Sequence, residues 1–198
     1  DFVTAIKYFT INACLLIYCF IIYYLHIFSI EFSNRTYKNI LMAGTSRSTY
    51  MISKLSMLFI MILSTTIGIY LIMIGVTYFY YGQPNNLPNN FLINTFQFIL
   101  GLSLCIMVYY ILASFLQILF NSNVAAIIFI VLTPIVVQVL QVTQGWDWLK
   151  YIDYLSLTQM FGLSTLEGAD LLPYIYVNGL IVILAISLSI LLLKRKEF

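Results

Sequence analysis

The chain has 198 residues, of which 62% are hydrophobic and only 8% are charged, and its mean hydropathy is +0.99. Soluble domains carry about 25% charged residues, so this composition excludes a water-soluble globular domain and indicates an integral helical membrane protein. The formal net charge of +2 does not indicate nucleic-acid binding, because the cations flank apolar runs rather than forming one basic patch.

Five apolar runs are long enough to cross the hydrocarbon core of a bilayer, which takes about 20 residues of helix. We therefore predict an all-α integral membrane protein with one transmembrane domain over residues 1–198. Its spans are predicted at about 6–30, 51–81, 91–120, 123–143 and 173–193.

The first predicted span starts within a few residues of Asp1, and no initiator Met precedes it. Residues 1–10 lack the basic region and the short apolar region of a secretory signal. We therefore expect one further N-terminal span in the full-length protein, which makes six crossings with both ends inside.

The polar segment from Glu31 to Lys54 separates the first two predicted spans and carries four cations. Three more, Lys194, Arg195 and Lys196, follow the last predicted span. Because cytoplasmic loops are enriched in Lys and Arg, both regions are expected in the cytoplasm, with residue 1 outside and the C-terminus inside. The opposite orientation would place seven of the nine cations outside, so we reject it.

The same polar segment predicts a short helix at about 33–44, with Ser33 or Asn34 as its cap and Gly44 at its end. Thr45 and Ser46 are then expected to cap the second span. Arg47 and Lys54 lie near the start of that span, where cations oppose the helix dipole, so lipid phosphates or a protein partner explain them better. A generic cytoplasmic linker would explain the charges, but not this order of cap, helix, glycine and cap.

The segment at 144–172 is too long for a turn and too apolar for a solvated loop. Trp148, Leu149, Ile152 and Leu155 recur at helical spacing, which predicts an interfacial or re-entrant helix at the outer face with Asp147, Lys150 and Tyr154 on its other side. A lid over an outward exit and a passive extracellular cap both fit this pattern.

Uncharged polar residues lie in or near the predicted spans and are candidates for lining a lateral substrate path. Interspersed with Tyr and Phe, they suit an amphipathic or lipophilic cargo better than an ion or a sugar. They are Asn12, Asn94, Gln97, Gln117, Gln138 and Asn178.

Catalytic, cofactor-binding and metal-binding residues are not expected. The single histidine, His26, and the three cysteines are not spaced like a metal site. The sequence has no G-x-x-x-x-G-K-[ST] phosphate loop, so any nucleotide must be bound by another polypeptide. It also has no Asp, Glu, Lys or Arg in the middle of a predicted span, whereas proton- and ion-coupled carriers need such groups along their pathway. Of the usual energy sources, an external ATPase remains.

The stretch EFSNRTYKNILMAGTSRSTYMISK, from Glu31 to Lys54, resembles the cytoplasmic signature of ABC-2 type transporter permeases. That signature loosely reads Glu, Gly-Thr, a Lys and a Leu pair, then Pro-x-Ser-Arg, an aromatic residue and a Lys. Arg35 stands where Gly is usual, and Gly44 stands where Pro is usual. The matching positions are Glu31, Thr36, Lys38, Leu41, Ser46, Arg47, Tyr50 and Lys54.

The resemblance implies an ABC-2 type helical bundle with six spans per subunit, paired with a second permease copy or paralogue in the plasma membrane. It implies that ABC ATPase subunits, which hold ATP and Mg, dock at the short cytoplasmic helix. Export of an amphipathic substrate, such as a peptide in lantibiotic immunity, is the expectation, with multidrug or lipid export also open. A channel, or a membrane anchor for an ATPase, is the alternative of another class. The implied coupling residues are Glu31, Arg35, Thr36, Lys38, Leu41, Arg47 and Lys54.

Overall fold

The computed structural model describes residues 2–33, 36–42, 44–82, 91–163 and 168–195, and every regular element in these ranges is helical. Three short irregular elements interrupt the α-helices: 3₁₀ turns at Ala13–Leu15 and Asp147–Tyr151, and a π-helix at Leu25–Ser29. The α-helices are α1 (Phe2–Asn12), α2 (Leu16–Cys19), α3 (Ile21–Tyr24), α4 (Ile30–Ser33), α5 (Tyr37–Met42), α6 (Arg47–Tyr81), α7 (Phe91–Phe120), α8 (Asn123–Gln144), α9 (Tyr154–Gly162) and α10 (Gly168–Arg195).

Within the described residues, five helices are long and apolar enough to cross a membrane, which confirms the number of predicted spans. The second span starts at Arg47 rather than 51, because Ser46 Oγ accepts a hydrogen bond from the Thr49 amide at 3.1 Å and so caps α6. The fifth span starts at Asp170 rather than 173, because its helix, α10, is already formed at Gly168. Asp170 lies in the first turn of α10, where the helix dipole favours an acid. The five spans cover Phe2–Ser29, Arg47–Tyr81, Phe91–Phe120, Asn123–Gln144 and Asp170–Leu192.

Helix α7 is the centre of the bundle. Of its most apolar stretch, 72% is buried inside the protein, against 33% or less for each of the other four spans. It packs against α6, α8, α9 and α10. A helix that is apolar on all sides is expected to be enclosed by other helices, whereas the remaining spans leave their apolar outer faces uncovered by the described part of this chain.

The first span is not one regular α-helix. A 3₁₀ turn at Ala13–Leu15 winds it more tightly, and the π-helix at Leu25–Ser29 widens it further along. Single π-turns inside α-helices commonly mark functional positions. Here the π-helix directly precedes α4 and Glu31, so it sets the angular position of the polar segment that follows.

The structure describes part of the helix predicted at 33–44. It shows α5 at Tyr37–Met42, with Ser33 still in α4, while residues 34, 35 and 43 lie outside the described ranges. Gly44 has a φ of +94°, a backbone conformation that favours glycine, and it separates α5 from the Ser46 cap. The predicted order of helix, glycine and cap is therefore present, while Asn34 lies outside the described residues.

The segment after α8 does not place residues 148–155 on one helix, contrary to the prediction. It folds as the 3₁₀ turn Asp147–Tyr151 followed by α9, because Asp153 takes an extended conformation and caps α9. The predicted polar face is also wrong at Tyr154, which is fully buried in the protein core.

Gly162, near the end of α9, lies where that helix meets α1. A Cβ at this position would overlap the Ile11 side chain and lie 3.1 Å from the Lys7 carbonyl oxygen. We expect Gly162→Ala to lower the free energy of unfolding by about 1–3 kcal/mol, measured by thermal unfolding in detergent, because a packed interface must shift to accept it.

Gly68→Ala on α6 is the matched control, since a Cβ there meets no atom within 4 Å. Alanine favours a helix over glycine by about 1 kcal/mol, so this variant should be as stable as wild type or more so. Equal stability of the two variants would show that α9 does not rest closely on α1.

Candidate functional site

The predicted coupling segment contains one compact group of polar side chains, which we call the Glu31 cluster: Glu31, Thr36, Tyr50 and Lys54. The Lys54 Nζ lies 2.5 Å from Glu31 Oε1, and the Tyr50 hydroxyl donates to Glu31 Oε2 at 2.8 Å. The Thr36 amide donates to the Glu31 carbonyl oxygen at 3.1 Å, and its hydroxyl donates to the same oxygen at 3.3 Å. The cluster therefore ties the end of the first span, the entry to α5 and the start of α6 together.

The local folding of the chain explains this geometry. Tyr50 and Lys54 are four residues apart on α6, so both side chains project from one face of the helix toward Glu31. The Ser46 cap fixes where α6 starts and thus which residues share that face. Tyr37, the first residue of α5, is buried against the core together with Tyr50.

The ion pair is partly shielded from solvent. The Lys54 side chain is 21% exposed and the Glu31 side chain is 25% exposed. Exposed ion pairs contribute about 0–1 kcal/mol, whereas hydrogen bonds to charged groups contribute about 1.5–3 kcal/mol. With two donors on one carboxylate and limited exposure, the Glu31 cluster belongs near the upper of these ranges.

The structure brings together three of the predicted coupling residues, Glu31, Thr36 and Lys54. Arg47 is the first residue of α6 and is half-buried. Lys38 and Leu41 lie on α5, but their side chains are outside what the structure describes, as is all of Arg35. Tyr50 has a direct contact with Glu31 that sequence reasoning did not assign, although its spacing from Lys54 was a usable signal.

Gln117, one of the predicted path residues, is buried in a network near the same end of the bundle. Its Oε1 accepts a hydrogen bond from the Tyr24 hydroxyl at 2.5 Å, and its Nε2 donates to Asn123 Oδ1 at 2.5 Å. The same Nε2 lies 3.4 Å from both the carbonyl oxygen and the hydroxyl of Ser29, at the end of the π-helix. We call this group the Gln117 network.

Asn178, another predicted path residue, is fully buried on α10. Its Nδ2 donates to the carbonyl oxygens of Tyr151 at 2.7 Å and Tyr174 at 2.8 Å, and it lies 3.0 Å from Cys105 Sγ. Among the described residues, its Oδ1 is buried and meets no hydrogen-bond donor, and the same holds for Oε1 of Gln97.

The predicted path residues do not form one continuous group. Gln117 and the Cys105 contact of Asn178 are separated by about 18 Å along α7, at roughly 1.5 Å per residue. Asn94, Gln97 and Gln138 are half-buried, and Asn12 is exposed. Substrate contact by these residues remains a prediction, and hydrogen bonding between helices is the role that the observed contacts of Gln117 and Asn178 support.

Sequence reasoning missed Asp153, which is 0% exposed between the 3₁₀ turn and α9. Its Oδ1 accepts from the Leu155 amide at 3.0 Å, and its Oδ2 lies 2.5 Å from Ser156 Oγ. An acidic residue directly before a helical run was the available signal for a cap, but the burial depends on tertiary packing. Burial raises the pKa of Asp153, against hydrogen bonds from Ser156 and Leu155 that lower it.

Among the described residues, no group of three or more His, Cys, Asp or Glu side chains could hold a metal ion. No protein-family model, characterised protein or solved structure matches the chain. The Glu31 cluster, the Gln117 network and the Asp153 site therefore carry the functional interpretation on their own geometry.

Proposed function

We propose that this chain is the permease subunit of an ATP-driven exporter of an amphipathic or lipophilic substrate. In this proposal a separate ATPase subunit, which holds ATP and Mg, docks at α5 on the cytoplasmic side of the plasma membrane. A second permease copy or a paralogue completes the transporter. Within this class we propose export of membrane-active peptides, as in lantibiotic immunity, on the basis of the resemblance to ABC-2 type permeases.

The single observation that carries the proposal is the Glu31 cluster. A subunit driven from outside needs a stiff connection between the surface that the ATPase pushes and the helices that move. Glu31 provides such a connection, because its carboxylate binds Lys54 and Tyr50 on α6 while its carbonyl oxygen holds Thr36 at the entry to α5. Displacement of α5 would then reach the first and second spans together.

The exposed apolar faces of the spans also support a transporter subunit with further partners. Outside α7, most of each apolar span is not covered by this chain. The exposed faces of α6, α8 and α10 are apolar, with large side chains such as Ile72, Val139 and Leu184. Such surfaces fit lipid and a second membrane subunit, and a permease dimer uses both.

The test is to purify the protein, tagged and expressed together with a candidate ABC ATPase, and to reconstitute the complex in liposomes. We expect co-purification, together with ATP hydrolysis that a lantibiotic peptide stimulates severalfold. Cells that express both proteins should also survive higher lantibiotic concentrations than cells that express either one.

The control is the same complex with an ATPase that cannot hydrolyse ATP, which should bind but give no protection. Stable binding without stimulated hydrolysis would favour a membrane anchor for the ATPase. Passive peptide or ion flux without ATP would favour a channel. Either result would contradict the proposed exporter.

A further inference from the structure

Asp153 is a buried carboxyl group that the proposed transport mechanism does not use. It lies at the joint between the 3₁₀ turn Asp147–Tyr151 and α9, and it has no exposed surface. This joint is enclosed by the rest of the bundle, because α9 contacts α1, α7 and α8 while the 3₁₀ turn contacts α8 and α10.

Within the described part of the chain, no cation is paired with Asp153. The titratable groups around it are the Cys105 thiol and Tyr109 of α7, Tyr154 of α9 and Tyr174 of α10, all of which are neutral in their ordinary form. Lys150, the nearest cation in sequence, lies over the Tyr151 ring instead, at 5.0 Å from its centre. A buried carboxylate without a counter-ion is costly, and such groups commonly bind a proton instead.

The contacts of Ser156 link this carboxyl group to α8. Ser156 Oγ lies 2.5 Å from Asp153 Oδ2 and 3.3 Å from Gln141 Oε1 on α8. A serine hydroxyl has one hydrogen, so it cannot donate to both oxygens at once. Both contacts are satisfied when Asp153 is protonated and donates to Ser156, which in turn donates to Gln141.

When Asp153 is ionised, the Ser156 hydrogen must turn toward the carboxylate. Gln141 then keeps its contact only if its amide rotates and donates from Nε2 to Ser156. Ionisation of Asp153 thus removes the observed hydrogen bond from Ser156 to Gln141 Oε1 and requires the Gln141 amide to rearrange.

We propose that Asp153 is a proton-binding site that controls the attachment of α9 to α8 through Ser156 and Gln141. The protonated form joins the two helices in the arrangement observed, and the ionised form loosens the joint. The ligand of this site is a proton from the aqueous phase at the Trp146 end of the bundle.

The direction of the pH dependence follows from the burial of Asp153. Burial raises its pKa above the ordinary value of 3.8, so the folded protein holds the proton more tightly than the unfolded chain does. The attachment is therefore strongest at low pH and is lost as the pH rises through the pKa of the folded state.

The first measurement is infrared difference spectroscopy of the full chain in lipid nanodiscs, titrated from roughly pH 4 to pH 8. We expect the band of a protonated, buried carboxyl group that titrates above the ordinary value of 3.8 and is absent from Asp153→Asn. Asn retains both the cap and a donor to Ser156, so this variant should fold. Asp147→Asn, at an exposed position of the same turn, should keep the band.

The second measurement follows the structure of the joint between the 3₁₀ turn and α9 by fluorescence quenching. The two tryptophans of the chain, Trp146 and Trp148, both lie beside the joint, so fluorescence excited selectively at tryptophan reports this region without the sixteen tyrosines. Quenching by aqueous iodide should rise with pH in wild type and in Asp147→Asn, and it should lose its pH dependence in Asp153→Asn. Ser156→Ala should keep the infrared band but lose the fluorescence transition, because the proton is bound without being transmitted.

A carboxyl band that persists in Asp153→Asn, or the absence of any such band in wild type, would overturn the proton site. A fluorescence transition that is unchanged in Ser156→Ala would overturn its link to α8.

Discussion

Exchange of the charges of Glu31 and Lys54 should restore the coupling that reversal of either charge abolishes. In Glu31→Lys two cations face each other, and the carboxylate that accepts from Tyr50 is lost. In Lys54→Glu two carboxylates meet. Either change removes a charge-assisted contact worth about 1.5–3 kcal/mol, which is roughly a tenfold to hundredfold shift in the arrangement of α5 against α6.

The measured quantities are ATPase co-purification and lantibiotic-stimulated ATP hydrolysis by the reconstituted complex. Both single variants should insert in the membrane but lose stimulated hydrolysis, and the double variant Glu31→Lys with Lys54→Glu should recover much of it. Tyr50→Phe, which keeps the ion pair and removes one hydrogen bond, should show a smaller loss.

Lys7→Ala, at the opposite end of the first span, is the control and should behave as wild type. Wild-type hydrolysis in both single variants would show that the Glu31 cluster does not transmit motion. That result would leave membrane insertion and ATPase binding intact, so it would reject the coupling route without rejecting the whole transporter.

The second large effect is expected at Gln117. Gln117→Ala should lower the free energy of unfolding by about 3 kcal/mol, measured by thermal unfolding in detergent, because it creates a cavity and removes partners from buried groups. The groups affected are the Tyr24 hydroxyl, Asn123 Oδ1 and Ser29 at the end of the π-helix.

Gln138→Ala is chemically the same change at a half-buried position, and it should shift stability by no more than about 0.5 kcal/mol. Tyr24→Phe, which removes only the hydroxyl, should cost about 1 kcal/mol. If Gln117→Ala were as stable as Gln138→Ala, the network would not hold the helices together, and a lining role for Gln117 would regain support.

The spans could be predicted because the hydropathy of a segment depends only on its own residues. Capping is also local, so the cap at Ser46 and the helix end at Gly44 could be predicted from the sequence. The prediction for the segment after α8 was wrong because it continued a helical pattern across Asp153, whose extended backbone breaks the helix. Burial of Tyr154 depends on its contact with the Cys14 carbonyl oxygen, far away in the chain, which no local pattern reports.

The candidate site shows the same division. The resemblance predicted that Glu31 and Lys54 belong to the same coupling site. Their direct contact joins two different helices, so spacing along the sequence could not predict it. The hydrogen bonds of Asp153 to Leu155 and Ser156 are local and could have been predicted from the sequence. The absence of a neighbouring cation among the described residues depends on how the bundle packs.

The π-helix at Leu25–Ser29 has a consequence for how the first span can vary. A π-turn holds one residue more than the α-helical turn it replaces, and each residue of an α-helix advances the side chains by about 100° around the axis. Tyr24, before the π-helix, contacts α7, and Glu31, after it, contacts α6. The five residues of the π-helix fix the angle around the helix axis between these two side chains. This span should therefore tolerate point substitutions better than changes in length. A substitution alters the contacts of one side chain, whereas an inserted or deleted residue rotates every later side chain around the helix axis.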